Sequence, residues 1–233
     1  MKIYTPKPAR AAEKPATAPG TRSPSLPKGK PHAKLPGEIR IIGGQYKRTR
    51  LAVPNKPGLR PTPDRVRETL FNWLGQDLTG WRCADVFAGT GALGFEAASR
   101  GAADVLLCEQ DAALVLQLKA LKDRLQASMV RIERGDGLSA LRRLQPGSMQ
   151  LVLLDPPFES DLLYEPALRA AAQAITPTGL VYLEAPRAWQ DDELQPLSLK
   201  VHRSGKAGAV HFHLLAAAVA ETATPAAEPA TSG

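Results

Sequence analysis

The 233-residue chain has only two cysteines, Cys83 and Cys108, and each sits inside an apolar run. A disulfide framework is thereby excluded, and two reduced core thiols are expected in place of a metal site. No apolar run approaches the ~20 residues that span a bilayer. The N-terminus carries bases and prolines where a secretion signal would carry an apolar stretch. These absences predict a cytoplasmic protein that makes no use of a membrane. No internal repeat is present, so one core is expected, with low-complexity ends.

What is abundant is positive charge, and it is unevenly placed. The formal net charge is +7. Residues 1–36 hold eight basic and one acidic side chain, and residues 37–67 hold eight and two. Residues 68–218 hold fourteen and eighteen, and the last fifteen residues hold two acids and no base. A basic excess confined to the N-terminal side fits a polyanionic partner met by that end of the chain. Residues 1–36 are Pro, Ala, Lys, Ser and Gly with few large apolar side chains, and residues 219–233 are similar but acidic. Both are expected to be disordered tails, because they bury too little surface to offset the entropy of ordering.

Between the tails, residues 39–53 read as two short strands around a basic turn, a β-hairpin. In Arg60-Pro61-Thr62-Pro63-Asp64, Thr62 is placed to N-cap a helix with Pro63 in its first turn. That helix is expected to run to about Leu74. Val66, Leu70, Phe71 and Leu74 form its apolar face, and Arg65, Arg67 and Glu68 lie on exposed flanks. From residue 83 onward, apolar runs alternate with helical segments. This predicts an α/β, Rossmann-like, mostly parallel doubly wound sheet closed by an antiparallel pair over 197–201 and 210–215. The expected division is 37–80 for the hairpin and helix and 81–218 for the catalytic domain.

Asp85-Val86-Phe87-Ala88-Gly89-Thr90-Gly91-Ala92-Leu93-Gly94 leaves the first of these strands and contains G-x-G-x-x-G, with Glu109 closing the second strand. Glycines let a ligand approach the backbone, and a strand-end carboxylate suits ribose hydroxyls, so an adenosine cofactor is expected here. A dinucleotide also fits this pattern. Asp85 and Asp136 favour S-adenosylmethionine, the first by facing the ammonium and sulfonium and the second by accepting from the adenine amine, although Asp136 equally suits a helix N-cap. The candidate cofactor residues are Asp85, Ala88, Gly89, Thr90, Gly91, Glu109 and Asp136.

The apolar run 151–154 delivers Asp155-Pro156-Pro157-Phe158 to the carboxyl edge of the sheet. Two prolines make a rigid turn there. The Asp155 side chain and the Pro156 carbonyl would accept the two hydrogens of an aromatic amine. That arrangement builds the nitrogen lone pair toward an incoming methyl group. Asp155 could then take the proton, and Phe158 could stack on the base at about 1–3 kcal/mol. The motif alone does not choose between adenine and guanine.

These segments together resemble the RsmD-type bacterial 16S ribosomal RNA guanine-N2 methyltransferases over residues 39 to 215. The likeness rests on residues 39–44, on the long run 59–74, on 87–94 and on 155–158. It implies the class I methyltransferase fold, S-adenosylmethionine as methyl donor, and methylation at N2 of one guanine, guanine-966, in the small ribosomal subunit or its assembly intermediate. A monomer is expected. Members of the family commonly have Trp where this chain has Tyr46 and Gly where it has Arg48. Arg40, Lys47, Arg48, Arg50, Arg60, Arg65 and Arg67 form the candidate phosphate-binding stretch. A DNA adenine-N6 methyltransferase, a nicotinamide dehydrogenase and a catalytically inactive ribosome-assembly RNA-binding protein are the competing readings.

Overall fold

Unbroken apolar runs along the central strands put greasy side chains on both faces of the sheet, and the helices between strands cover both. The computed structural model describes residues 37–56, 59, 61–157 and 161–218. The expected tails over 1–36 and 219–233 lie outside these, as do Arg60 and Phe158.

The chain opens with β1 (Gly37–Arg40) and β2 (Arg50–Val53), paired antiparallel with Ile39 opposite Leu51. Helix α1 (Asp64–Trp73) follows. The alternating part contains β3 (Arg82–Asp85), α2 (Ala92–Ser99), β4 (Asp104–Glu109), α3 (Ala112–Leu125), β5 (Val130–Arg134) and α4 (Gly137–Arg143). It continues with β6 (Met149–Leu154), α5 (Asp161–Ala174) and β7 (Ile175–Ala185). A short α6 (Asp191–Leu194) and a 3-10 turn (Gln195–Leu197) lead to β8 (Leu199–Ala207) and β9 (Val210–Ala217).

Among the described residues the main sheet has seven strands in the order β5-β4-β3-β6-β7-β9-β8. The first five are parallel, and β9 and β8 close the edge antiparallel. Cys83, Val105, Leu107, Leu151, Leu153 and Tyr182 face α1, α2 and α3. Ala84, Leu106, Cys108, Val152, Leu154 and Leu183 face α4 and α5. The strand order reverses between β3 and β6, which opens a crevice at their carboxyl ends. Both cysteines are unpaired and buried, and desolvation pushes Cys83 to about 12 and Cys108 to about 11. They are neutral packing groups. No described helix is long and apolar enough to cross a membrane.

Three expectations are corrected. Thr62 does not cap α1: Pro63 holds the N-cap position, and the Thr62 hydroxyl donates instead to Glu184. Arg67 is not on an exposed flank but only 1% exposed, because its guanidinium donates to the Thr62 and Arg40 carbonyls and to the Glu96 and Asp64 carboxylates. The closing pair is longer than expected, with its turn narrowed to the residues between Ala207 and Val210.

Candidate active site

The loop after β3 turns through two left-handed residues, Gly89 at φ +52° and Gly91 at φ +79°. A side chain at Gly91 would also come within 2.6 Å of Leu118 Cδ2 and 2.7 Å of Phe95 Cδ2, so only glycine lets the loop lie this close to α3. Gly94, in the first turn of α2, packs against Leu107, and its N–H donates to Asp85 Oδ2 at 3.0 Å. The strand end and the helix start are thus tied through the buried Asp85.

Glu109, at the tip of β4, accepts the Gly89 N–H at 2.9 Å on one oxygen and the Asp111 N–H at 2.8 Å on the other. Asp136 N-caps α4, with Oδ2 accepting the Ser139 N–H at 2.7 Å. These loops surround a cavity of about 740 Å³. Asp85, Ala88, Gly89, Thr90, Glu109 and Asp136 line it together with Asp155, Pro156 and Pro157. The glycine loop and the Asp155 edge therefore open on one space. Gly91 supports the loop from behind, against Leu118 and Phe95.

Asp155 follows β6, and its surroundings are strongly acidic. The register pairs Leu154 with Leu183, so Asp155 and Glu184 are the next residues out on neighbouring strands. Glu184 is 3% exposed and also lines the cavity. Its Oε1 accepts from the Thr62 hydroxyl at 2.7 Å and the Tyr182 hydroxyl at 2.9 Å. Desolvation, then the charges of Glu184 and Asp85, raise Asp155 well above the usual carboxylate range, opposed by the Thr62 hydroxyl. Glu184 is raised by burial against the pull of Thr62 and Tyr182. Desolvation pushes Asp85 to about 7, opposed by the Gly94 N–H. Sequence reasoning did not single out Glu184 or the role of Thr62. The available signal was an acid at the carboxyl end of an otherwise apolar strand, V-Y-L-E-A, next to the strand that carries Asp155.

The basic residues divide. Arg40, Lys47, Arg48, Arg50 and Arg65 are exposed. Arg50 approaches Glu38 at 3.4 Å while its side chain stays 72% exposed. Arg48 has φ +71°, the left-handed turn that glycine favours, so the hairpin keeps that shape with an arginine in it. Arg67 is withdrawn from this set by its burial.

The family model described as Conserved hypothetical protein 95 matches residues 39–216. The chain is 41% identical over 187 residues to the Escherichia coli K12 protein named "Ribosomal RNA small subunit methyltransferase D", covering 79% of this chain and 93% of that one. It is 41% identical over 158 residues to the Haemophilus influenzae protein of the same name, covering 66% and 81%. The solved structure of Escherichia coli yhhF superposes with a TM-score of 0.67 at 38% identity, covering 79% of this chain and all of that one.

Proposed function

This chain belongs to the Conserved hypothetical protein 95 family of RsmD-type ribosomal RNA methyltransferases, and from that premise we propose that it methylates the exocyclic N2 amine of a guanine in 16S ribosomal RNA of the small subunit or its assembly intermediate, with S-adenosylmethionine as donor. The observation that carries this reading is the single cavity shared by the glycine loop and the Asp155-Pro156 edge.

The cavity suits a cationic ligand. Among the described lining residues the acids are Asp85, Glu109, Asp111, Asp136, Asp155 and Glu184, while Lys56, the one lining cation, lies 2.5 Å from Asp111. A pyrophosphate would meet net repulsion there, whereas an ammonium and sulfonium would meet attraction. When bound, S-adenosylmethionine supplies an electrophilic methyl group. Asp85 would hold its ammonium, Glu109 would accept from the ribose hydroxyls, and the second oxygen of Asp136 would accept from the adenine amine.

On the substrate side, Asp155 and the Pro156 carbonyl accept the two N–H hydrogens and fix the amine plane, so orientation replaces a strong base. Asp155 then takes the released proton. Arg40, Lys47, Arg48, Arg50 and Arg65 engage phosphates and position the RNA. The region 37–80 serves as the RNA-binding part and 81–218 as the catalytic part, in a cytoplasmic monomer. The test offers labelled S-adenosylmethionine with either undermethylated small subunits or duplex DNA. Label in the small-subunit RNA is expected, and label in DNA alone would overturn the proposal.

A further inference from the structure

The end of β7 holds a second carboxylate that the sequence reading left without a task. Glu184 stands one register step beyond the Leu154–Leu183 pair, directly beside Asp155. In a parallel sheet that spacing places two side chains on the same face about 5 Å apart at the backbone. Its Oε1 is held by two hydroxyls, Thr62 at 2.7 Å and Tyr182 at 2.9 Å, while among the described residues Oε2 receives no donor. The carboxylate is 3% exposed and the exposed remainder borders the cavity. Thr62 stands just ahead of α1. The groups acting on this pair from neighbouring elements are Asp85 on β3, Tyr182 on β7, Tyr164 on α5 and Thr62, none of them cationic.

We propose that Glu184, held by Thr62 and Tyr182 beside Asp155, is a positioning residue for methyl transfer that keeps Asp155 ready to receive the proton that leaves the amine. The inference rests on the methyltransferase reading above. In the transfer a nitrogen–carbon bond forms as the sulfur–carbon bond of the sulfonium donor breaks, leaving a neutral thioether. The nitrogen loses one N–H, whose proton passes to the Asp155–Glu184 pair and from there to solvent. A negative neighbour makes Asp155 a stronger proton acceptor. A base whose proton affinity lies near the working pH is the more effective one.

The test is the pH profile of single-turnover methyl transfer to undermethylated small subunits. Glu184→Gln removes the negative neighbour but keeps the shape. Its acid limb moves to lower pH and its plateau rate falls about tenfold, with the KM for subunits near the wild-type value. Glu184→Asp restores the limb. Thr62→Val removes a donor that favours the ionised pair, so its limb moves to higher pH. Thermal melting and calorimetric cofactor binding verify that each variant is folded, and Thr62→Val alone decides the matter if Glu184→Gln is not. An active wild type with an unchanged Glu184→Gln profile, or both variants shifting the same way, overturns the role of Glu184 and leaves the function reading standing. A wild type that methylates no guanine overturns both.

Discussion

Arg67 Nη1 lies 3.4 Å from Glu96 Oε2, with the two side chains 1% and 0% exposed. Glu96 also accepts the Ile42 and Gly43 amides, each at 2.8 Å, and pairs with Arg100 at 2.8 Å. One buried carboxylate on the helix that follows the cofactor loop therefore holds the hairpin, α1 and α2 together. Replacing Glu96 with Ala leaves the Ile42 and Gly43 amides without their acceptor and takes the buried counter-charge from Arg67 and Arg100, and is expected to destabilise the protein by about 3–5 kcal/mol. The exposed Arg65→Ala should stay within about 0.5 kcal/mol of wild type. Denaturant unfolding measures both, and equal effects would contradict this account of Arg67.

Gly91→Ala is expected to lower stability by about 1–3 kcal/mol, since φ +79° and the contacts with Leu118 and Phe95 both oppose a side chain. Cofactor affinity, measured by calorimetry, should fall with it. Unchanged affinity would show that the loop's close approach is not needed.

The exposed bases of the hairpin predict a salt effect. The triple replacement of Lys47, Arg48 and Arg50 by Ala should weaken RNA association and reduce the slope of log affinity against log salt by about two to three. Stability should be unchanged. A slope equal to that of wild type would remove these residues from the RNA contact.

Asp85 predicts proton-linked cofactor binding. Its carboxyl ionises near 7 in the folded protein against 3.8 ordinarily. Between those values the folded state keeps a proton that the unfolded state has lost, so the stability of the ligand-free protein falls as pH rises through that window and levels off above it. A cationic ligand favours the ionised form. Affinity should therefore rise as pH rises through about 7, with a proton released on binding. Calorimetry in two buffers of different ionisation enthalpy detects that proton, and Asp85→Asn should abolish its release.

Much of this architecture was legible from hydrophobic periodicity. The strands that carry Asp85, Glu109 and Asp155 are short apolar runs closed by an acid, and a parallel sheet brings their ends together. The exposed Arg48 kept a turn that its side chain disfavours, which periodicity does not encode. Arg67 was misplaced because helical spacing assigns a charged residue to the wet face unless a buried partner is known, and Glu96 is 29 residues away. Glu184 escaped for a similar reason. Its meaning depends on the Leu154–Leu183 register and on a hydroxyl 122 residues earlier. The four-residue α6 was not anticipated, being too short to show a period.

The most direct test of the central claim is nucleoside mass spectrometry of 16S ribosomal RNA from undermethylated small subunits, incubated with S-adenosylmethionine and either the wild-type protein or Asp155→Asn. The account predicts one new N2-methylguanosine with wild type and a rate lower by about a hundredfold or more with the variant, which still binds cofactor. N6-methyladenosine as the product, or equal N2-methylguanosine formation by both proteins, would contradict it.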